Sequence, residues 1–481
     1  MKPSLFSIQI LFLGVFFSQP AFAIDKAESS KPIATLKLRN QSTSPSSPKP
    51  VQEADIFEEN LFSGDQEEST DIVQKLEDAL DEKENTTTIG GYLYLQSHLK
   101  GNETSTIGNI PFQFPALLDL YTDARPNQTV RAYARARVRH QFSKPTLVFL
   151  EANPSQQSAQ TKIVLDQLWL KFSWQNTLFF TVGQQAIRWG TGRFWNPTDF
   201  LQNQIRDPLA VFDDRIGIPL LKIHFPIESL GWNLYSIVNF ADIEAPKDLG
   251  AALRAELLLG TTEIAITASF KHAGPTQYGF QFSAGLFDFD LYGECAYQTN
   301  PNRNLYEGNF NISALELPRA VSKSGEWEIQ ALGGLEYGFK INDKDTITLG
   351  VEYFYNQWGY NDPTLYPWLF MNSAFRPLYL GKHYLATTAV LPQPGSLTNT
   401  TVILSSLVNL SDQSGLARLD IRTKIDTFIQ LSFYTTAYFG KLGEFNFSIS
   451  IPATPHIPLL AAGFDIPSPI FDAGIGLSLN I

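Results

Sequence analysis

Arg131, Tyr133, Arg135, Arg137 and Arg139 occupy alternate positions of one segment, with Val130, Ala132, Ala134, Ala136 and Val138 between them. In an extended chain, alternate side chains share a face and stand about 6.6–7 Å apart. The guanidiniums therefore form a ladder on one side of a strand whose other side is apolar. Two chemistries fit such a ladder. It is a cationic rail that attracts anionic solute or tunes ion selectivity, or it is a row of salt bridges to facing carboxylates. Alternation places Glu256, Glu263, Glu294, Glu336, Glu352 and Asp420 on the same side, together with Arg418 and Arg422. An arginine facing lipid costs roughly 2–4 kcal/mol at the bilayer midplane, so the ladder requires a polar interior.

A second concentration of chemistry is Arg188-Trp-Gly-Thr-Gly-Arg-Phe-Trp-Asn-Pro-Thr-Asp-Phe200. It follows an alternating segment, Thr177 to Ile187, and cannot extend it. Gly190 and Gly192 break the strand, and Pro197 has no amide to donate. We read 189–217 as a specialised loop folded against the inside of a barrel wall. Its arginines, Arg188, Arg193, Arg206 and Arg215, then face a solute path or brace against Asp199, Asp213 and Asp214.

Other chemistries lack their signatures. His98, His140, His224, His272, His383 and His456 are scattered, and none stands at a metal-ligand spacing from another ligand. No Gly-x-Ser-x-Gly elbow and no Gly-Lys-Ser/Thr phosphate loop is present. No metal, cofactor or enzymatic activity is expected, although a hydrolase site built from distant strands would leave no local motif. Cys295 is the only cysteine and reads as a small apolar wall position. The net charge of −12 is partly concentrated in Glu53–Glu84, and it argues against nucleic-acid binding.

The elements that must position these residues are strands. Charged residues are only 17% of the 481, and aromatics reach 13%, which departs from ordinary soluble composition. Lys2, the apolar stretch Leu5–Phe17 and Ala21-Phe-Ala23 predict a signal peptide over 1–23. Residues 24–87 predict a disordered linker with a short acidic helix near 70–84. From 88 to 481 the apolar period is two. Ala473, Ile475, Leu477 and Leu479, for example, alternate with Gly474, Gly476, Ser478 and Asn480. No later run of 18 apolar residues suggests a helical span. One polar and one apolar face, repeated over short strands, is the pattern of a transmembrane antiparallel β-barrel.

The expected strands are 89–99, 130–142, 145–153, 163–174, 177–188, 218–225, 231–240, 250–260, 263–271, 276–286, 288–298, 327–341, 346–356, 382–391, 399–410, 415–425, 428–439 and 472–481. That is about 18, with 16 as the alternative. Connections alternate between short turns and a set that includes every long loop: 100–129, 189–217, 299–326, 357–381 and 440–471. This asymmetry is typical of outer-membrane barrels. Trp169, Trp174, Tyr353, Tyr355, Trp358, Tyr360, Tyr379 and Tyr384 fall near strand ends, as interfacial girdles require. Stacking on sugar rings would need them in the lumen instead.

Four stretches then carry a likeness: Leu165-Asp-Gln-Leu-Trp-Leu-Lys-Phe172, Val182-Gly-Gln-Gln185, Arg188-Trp-Gly190 and Asn196-Pro-Thr-Asp199. They resemble porin-like outer-membrane proteins of Gram-negative bacteria, of the uncharacterised-porin and alginate-export types. In those proteins a strand ending in Gly-Arg-Gln leads into a Trp-Gly loop and an Asn-Pro-x-Asp turn. Arg206-Asp-Pro208 and Asp214-Arg-Ile-Gly-Ile-Pro219 continue the likeness, which spans about 165–240. Two departures are Gln184, where the family has arginine, and Ile481, where a terminal aromatic is frequent. The resemblance implies a channel fold and leaves the solute open.

The combined expectation is an outer-membrane channel for small hydrophilic solutes, anionic ones included if the ladder is a rail. Its partners would be outer-membrane lipid, solute and the barrel-assembly machinery, with the oligomeric state open. The alternatives are a non-conducting surface protein, such as an adhesin or receptor acting through its long loops, and a secreted β-sandwich.

Overall fold

The structure, a computed structural model, describes residues 86–143, 160–272, 274–299, 304–311, 316–340, 345–451 and 464–481. The expected signal peptide, linker and short helix lie outside the described residues, except that Thr86 and Thr87 already belong to the first strand.

Eighteen strands form the wall. The first six are β1 (Thr86–Asn102), β2 (Pro115–Asn127), β3 (Val130–Gln141), β4 (Thr161–Trp174), β5 (Leu178–Gln185) and β6 (Ile218–Ile227). Next come β7 (Trp232–Asn239), β8 (Gly250–Leu259), β9 (Thr262–Lys271), β10 (Thr276–Leu286), β11 (Phe289–Thr299) and β12 (Trp327–Lys340). The last six are β13 (Thr346–Asn356), β14 (His383–Pro392), β15 (Thr400–Asn409), β16 (Ser414–Lys424), β17 (Ile429–Gly440) and β18 (Pro469–Asn480). Each pairs antiparallel with its sequence neighbours, and β1 closes the ring against β18, with Tyr92 opposite Asn480 and Lys100 opposite Asp472. Closure removes the free strand edges that a bilayer would leave unsatisfied.

Two strands differ from the sequence reading. Pro115–Asn127 was expected inside a loop but pairs with both β1 and β3. The segment 145–153, expected as a strand, lies outside the described residues. Among the described residues, β3 pairs directly with β4. With Pro115–Asn127 in place, Val130–Gln141 is the third described strand and not the second, which reverses its direction. From β4 onward the alternation of short turns and long loops stands. The turn at Gln175-Asn176 has φ of 53° and 50°, the left-handed pair that a two-residue hairpin needs.

The outer face is apolar. Leu165, Leu168, Ile266, Phe280, Ile475 and Leu477 are exposed there, which suits contact with lipid chains. Aromatic pairs sit at both rims: Tyr297 stacks on Trp327 at 4.1 Å at one, and Phe289 meets Tyr337 at 4.6 Å at the other. Among the residues expected in such girdles, Trp169, Tyr379 and Tyr384 turn inward, Tyr379 meeting Phe354 edge-on at 5.3 Å. Trp169 stacks on Tyr133 at 5.2 Å, and Tyr384 is buried beside Trp195.

The interior carries its own core. Phe194 and Trp195 from the loop between β5 and β6 pack with Tyr292, Leu332, Phe354 and Tyr384 of the wall. Trp189 and Leu201 of the same loop pack against Leu220, Ile237 and Ala252.

A bulge in β4 sets the geometry beneath that loop. The register shifts between Arg135 and Ala136, where Gln167 and Leu165 are the successive partners and Asp166 is left over. Asp166 turns into the lumen and is 3% exposed. Gln184 stands across from the bulge, and its side-chain amide donates to the Leu165 and Asp166 carbonyls at 2.8 and 3.1 Å. Beside it, Gly183 has φ of +124°, and a Cβ there would stand 2.2 Å from the Leu168 carbonyl. The residue that departs from the family pattern thus satisfies carbonyls that the irregular strand exposes.

Candidate functional site

The inner loop, 186–217, leaves β5 and meets the wall at opposed strands. On one side it meets carboxylates. Glu294 in β11 accepts hydrogen bonds from the amides of Thr191 (2.6 Å), Gly192 (2.7 Å) and Thr198 (3.2 Å), and from the Thr198 hydroxyl (2.5 Å). Glu352 in β13 accepts from the amides of Arg193 (2.6 Å), Phe194 (3.1 Å) and Trp195 (3.0 Å), and from the Tyr292 hydroxyl (3.0 Å). Both carboxylates are buried, at 3% and 1% exposure. A buried charge is tolerable only when fully hydrogen-bonded, and here backbone amides do that work.

The sequence of the loop allows this approach. Gly190 has φ of +114°, and a Cβ on it would fall 2.7 Å from the Glu294 carboxylate and 2.5 Å from the Asn196 amide. Asn196-Pro-Thr-Asp closes as a β-turn, with the Asp199 amide donating to the Asn196 carbonyl at 3.1 Å. Proline suits the second position of such a turn. Arg193 forks onto Glu336 in β12 at 2.8 Å through both Nε and Nη2, which holds its guanidinium above its ordinary value. The Trp195 indole donates to the Leu378 carbonyl at 2.9 Å.

On the other side the loop meets the arginine ladder. Arg139 pairs with Asp214, and Arg137 donates to the Asp214 carbonyl at 3.3 Å. The rest of the ladder is neutralised within the wall. Arg137 contacts Asp119 at 2.9 Å and Asp166 at 3.4 Å, with all three side chains buried. Arg135 contacts Asp119 at 3.0 Å, and Arg131 contacts Asp123 at 2.9 Å and lies 5.4 Å from the Trp169 ring. Tyr133 stacks between Tyr121 and Trp169.

The facing carboxylates named from the sequence are therefore not the ladder's partners. Glu294 and Glu352 bind amides, Glu336 binds Arg193, and Glu256 pairs with Arg254 at 2.7 Å. Asp420 pairs with Arg418 at 2.9 Å and lies 4.0 Å from Arg422. Asp119 and Asp123 escaped the sequence reading because β2 was taken as loop. Leu118, Leu120, Thr122 and Ala124 alternating with Asp119, Tyr121, Asp123 and Arg125 was the available signal.

Within the loop, Arg215 binds Asp199 at 2.7 Å and Asp213 at 2.8 Å, and Arg188 reaches Asp213 at 3.0 Å. Burial raises the Asp213 carboxyl, but Arg215 and Arg188 outweigh it and lower it to about 2. Arg206 donates to the Asn196 side-chain carbonyl at 3.3 Å. Arg254 of β8 lies 5.3 Å from the Trp189 ring, and Phe212 meets Tyr94 of β1 edge-on at 5.6 Å.

A further cluster lies beyond the sequence reading. Glu444, in the connection between β17 and β18, accepts from the Leu378 amide, the Tyr384 hydroxyl (2.6 Å) and the Asn409 amide (2.9 Å). Its own amide donates to Asp412 at 2.8 Å. Burial pushes the Glu444 carboxyl up to about 7 against the pull of these donors.

The fold is a closed eighteen-stranded antiparallel barrel with a loop packed inside it, and comparison with solved structures agrees on the barrel. The chain is similar to a BenF-like porin from Pseudomonas fluorescens Pf-5, with 10% identity over 82% of this chain and 98% of that one, at a TM-score of 0.50. It is likewise similar to OccAB1 from Acinetobacter baumannii, with 9% identity over 82% of this chain and 96% of that one, also at 0.50. No protein-family model matches the chain, and no curated protein matches its sequence.

Proposed function

We propose that the protein is an outer-membrane channel for small hydrophilic solutes, in which residues 186–217 form the constriction. One observation carries this reading. Arg193 of the loop is bound to Glu336 in β12, and Asp214 of the same loop is bound to Arg139 in β3. Nine steps separate β3 from β12 in a ring of eighteen, so the loop is tied to the wall at both ends of a diameter. A barrel of this size is wide enough for an aqueous path, and a segment tied across it narrows that path. The apolar outer face and aromatic rims support placement in a bilayer, and the similar porins support the outer membrane. Insertion there would need the barrel-assembly machinery.

Purified protein in planar bilayers should give discrete conductance steps. Silence under conditions in which a control porin conducts would refute the channel and favour a surface protein. Changing Arg131, Arg135, Arg137 and Arg139 to Ser should move the reversal potential towards cations, and an unchanged potential would leave the ladder a bracing role only.

A further inference from the structure

Arg206 is the odd charge of the inner loop. Arg215 occupies Asp213 through Nε at 3.0 Å and Nη2 at 2.8 Å, and Asp199 through Nη1 at 2.7 Å. Arg188 reaches Asp213 through one nitrogen, Nη2. Asp214 is taken by Arg139. Asp207, adjacent in sequence, accepts the Leu209 amide at 2.9 Å. Among the described residues, no carboxylate lies within ion-pairing distance of Arg206, whose partner is the neutral Asn196 side chain at 3.3 Å. Three guanidiniums, Arg188, Arg206 and Arg215, therefore have two carboxylates, Asp199 and Asp213, among them, and the surplus guanidinium, Arg206, has no salt bridge among the described residues and meets Asp213 and Glu352 only at longer range.

That surplus is not on an open surface. Arg206 is only partly exposed. Burial, and then the nearby Arg188, hold its guanidinium below its ordinary value. The other deeply placed arginines of this lumen, Arg137, Arg215 and Arg254, each have a carboxylate. A guanidinium taken partly out of water without a salt bridge is unfavourable, and an anion arriving from solution relieves the repulsion from Arg188. The planar fork of arginine matches two oxygens of one anion. Arg188 stands half-exposed beside it, with one of its nitrogens engaged.

We propose that Arg206, with the exposed edge of Arg188, is an oxyanion-binding site on the inner loop that receives the carboxylate or phosphate group of a small solute. The proposal rests on the channel reading for the arrival of solute, while binding itself can be measured without current.

The experiment uses the full barrel in detergent, titrated calorimetrically with inorganic phosphate and, separately, with acetate. Block of chloride current by the same anions is measured in bilayers. Arg206→Gln should weaken binding by at least about tenfold, the worth of one charge-assisted hydrogen bond. Arg206→Lys keeps the charge and loses the fork, so it should fall between the two and report even where Arg206→Gln folds poorly. Arg319→Gln, at an exposed position of the two-stranded ribbon that pairs Leu305–Glu307 with Arg319–Val321 between β11 and β12, should bind as the wild type does. The stronger of the two anions tells phosphate from carboxylate recognition. Wild-type affinity in both Arg206 variants, or no binding to wild type, overturns the site. Binding lost with Arg206 in a protein that passes no current keeps the site and refutes the channel. Current with block unchanged in the variants keeps the channel and refutes the site.

Discussion

The two sides of the lumen hold one loop by opposite means. On the β11–β13 side, the wall supplies carboxylates and the loop supplies backbone amides, at Glu294 and Glu352. On the β3 side, the wall supplies arginines and the loop supplies Asp214. The acidic side specifies the path of the chain, because amides point where the backbone points. The basic side specifies charge, because a guanidinium donates to any oxygen in reach. Acidic contacts should therefore govern whether the loop stays in place, and basic contacts should govern wall stability and ion preference.

The largest effect is expected from breaking the acidic side. Glu294→Ala with Glu352→Ala leaves the amides of 191–195 and 198 unpaired in a dry site, and each such group costs about 1–3 kcal/mol. The loop should leave its seat, becoming open to added protease and losing amide-exchange protection while the barrel stays folded. Continued protection in the double variant would mean that the apolar anchors Phe194 and Trp195 suffice.

Asp119→Ala comes next. It removes the shared partner of Arg135 and Arg137, a buried pair whose loss costs about 3–5 kcal/mol. Denaturant unfolding in detergent should show that loss with the inner loop still protected. A variant that instead frees the loop would erase the distinction between the two sides.

A smaller, pH-dependent effect is expected at Glu444. Its carboxyl is raised in the folded protein to about 7 from an ordinary value of 4.5. The stability contributed by its neutral form is fully present below 4.5 and is lost as pH rises through 7. Amide exchange around Leu378 and Phe445, corrected for its intrinsic pH dependence, should slow from pH 8 to pH 5. Glu444→Gln should flatten that profile. The smallest effect is expected at Arg125, whose half-exposed pair with Asp123 should contribute under about 1 kcal/mol to unfolding.

How much of this the sequence discloses follows from what has a sequence signature. Alternation and short turns disclose the barrel, because the pleat forces period two wherever one face meets lipid and the other water. They fail at β2, which opens with Ala116, Leu117 and Leu118, apolar on both faces. They fail again at Asp166, because a bulge changes the face of a residue without changing its neighbours. The inward faces of Glu294 and Glu352 are legible, but their partners are not, since every residue except proline carries the same amide. Arg188 and Arg215 are legible as braces because charges on one loop find the nearest opposite charges, whereas Arg193 is held by Glu336 of the wall and not by the loop's aspartates.

The most direct test compares single-channel conductance of the wild type with that of a barrel in which residues 190–214 are replaced by a short Gly-Ser link. The account gives discrete steps for the wild type and larger steps for the shortened loop. Equal conductance in the two barrels would show that the segment tied between β3 and β12 does not constrict the path.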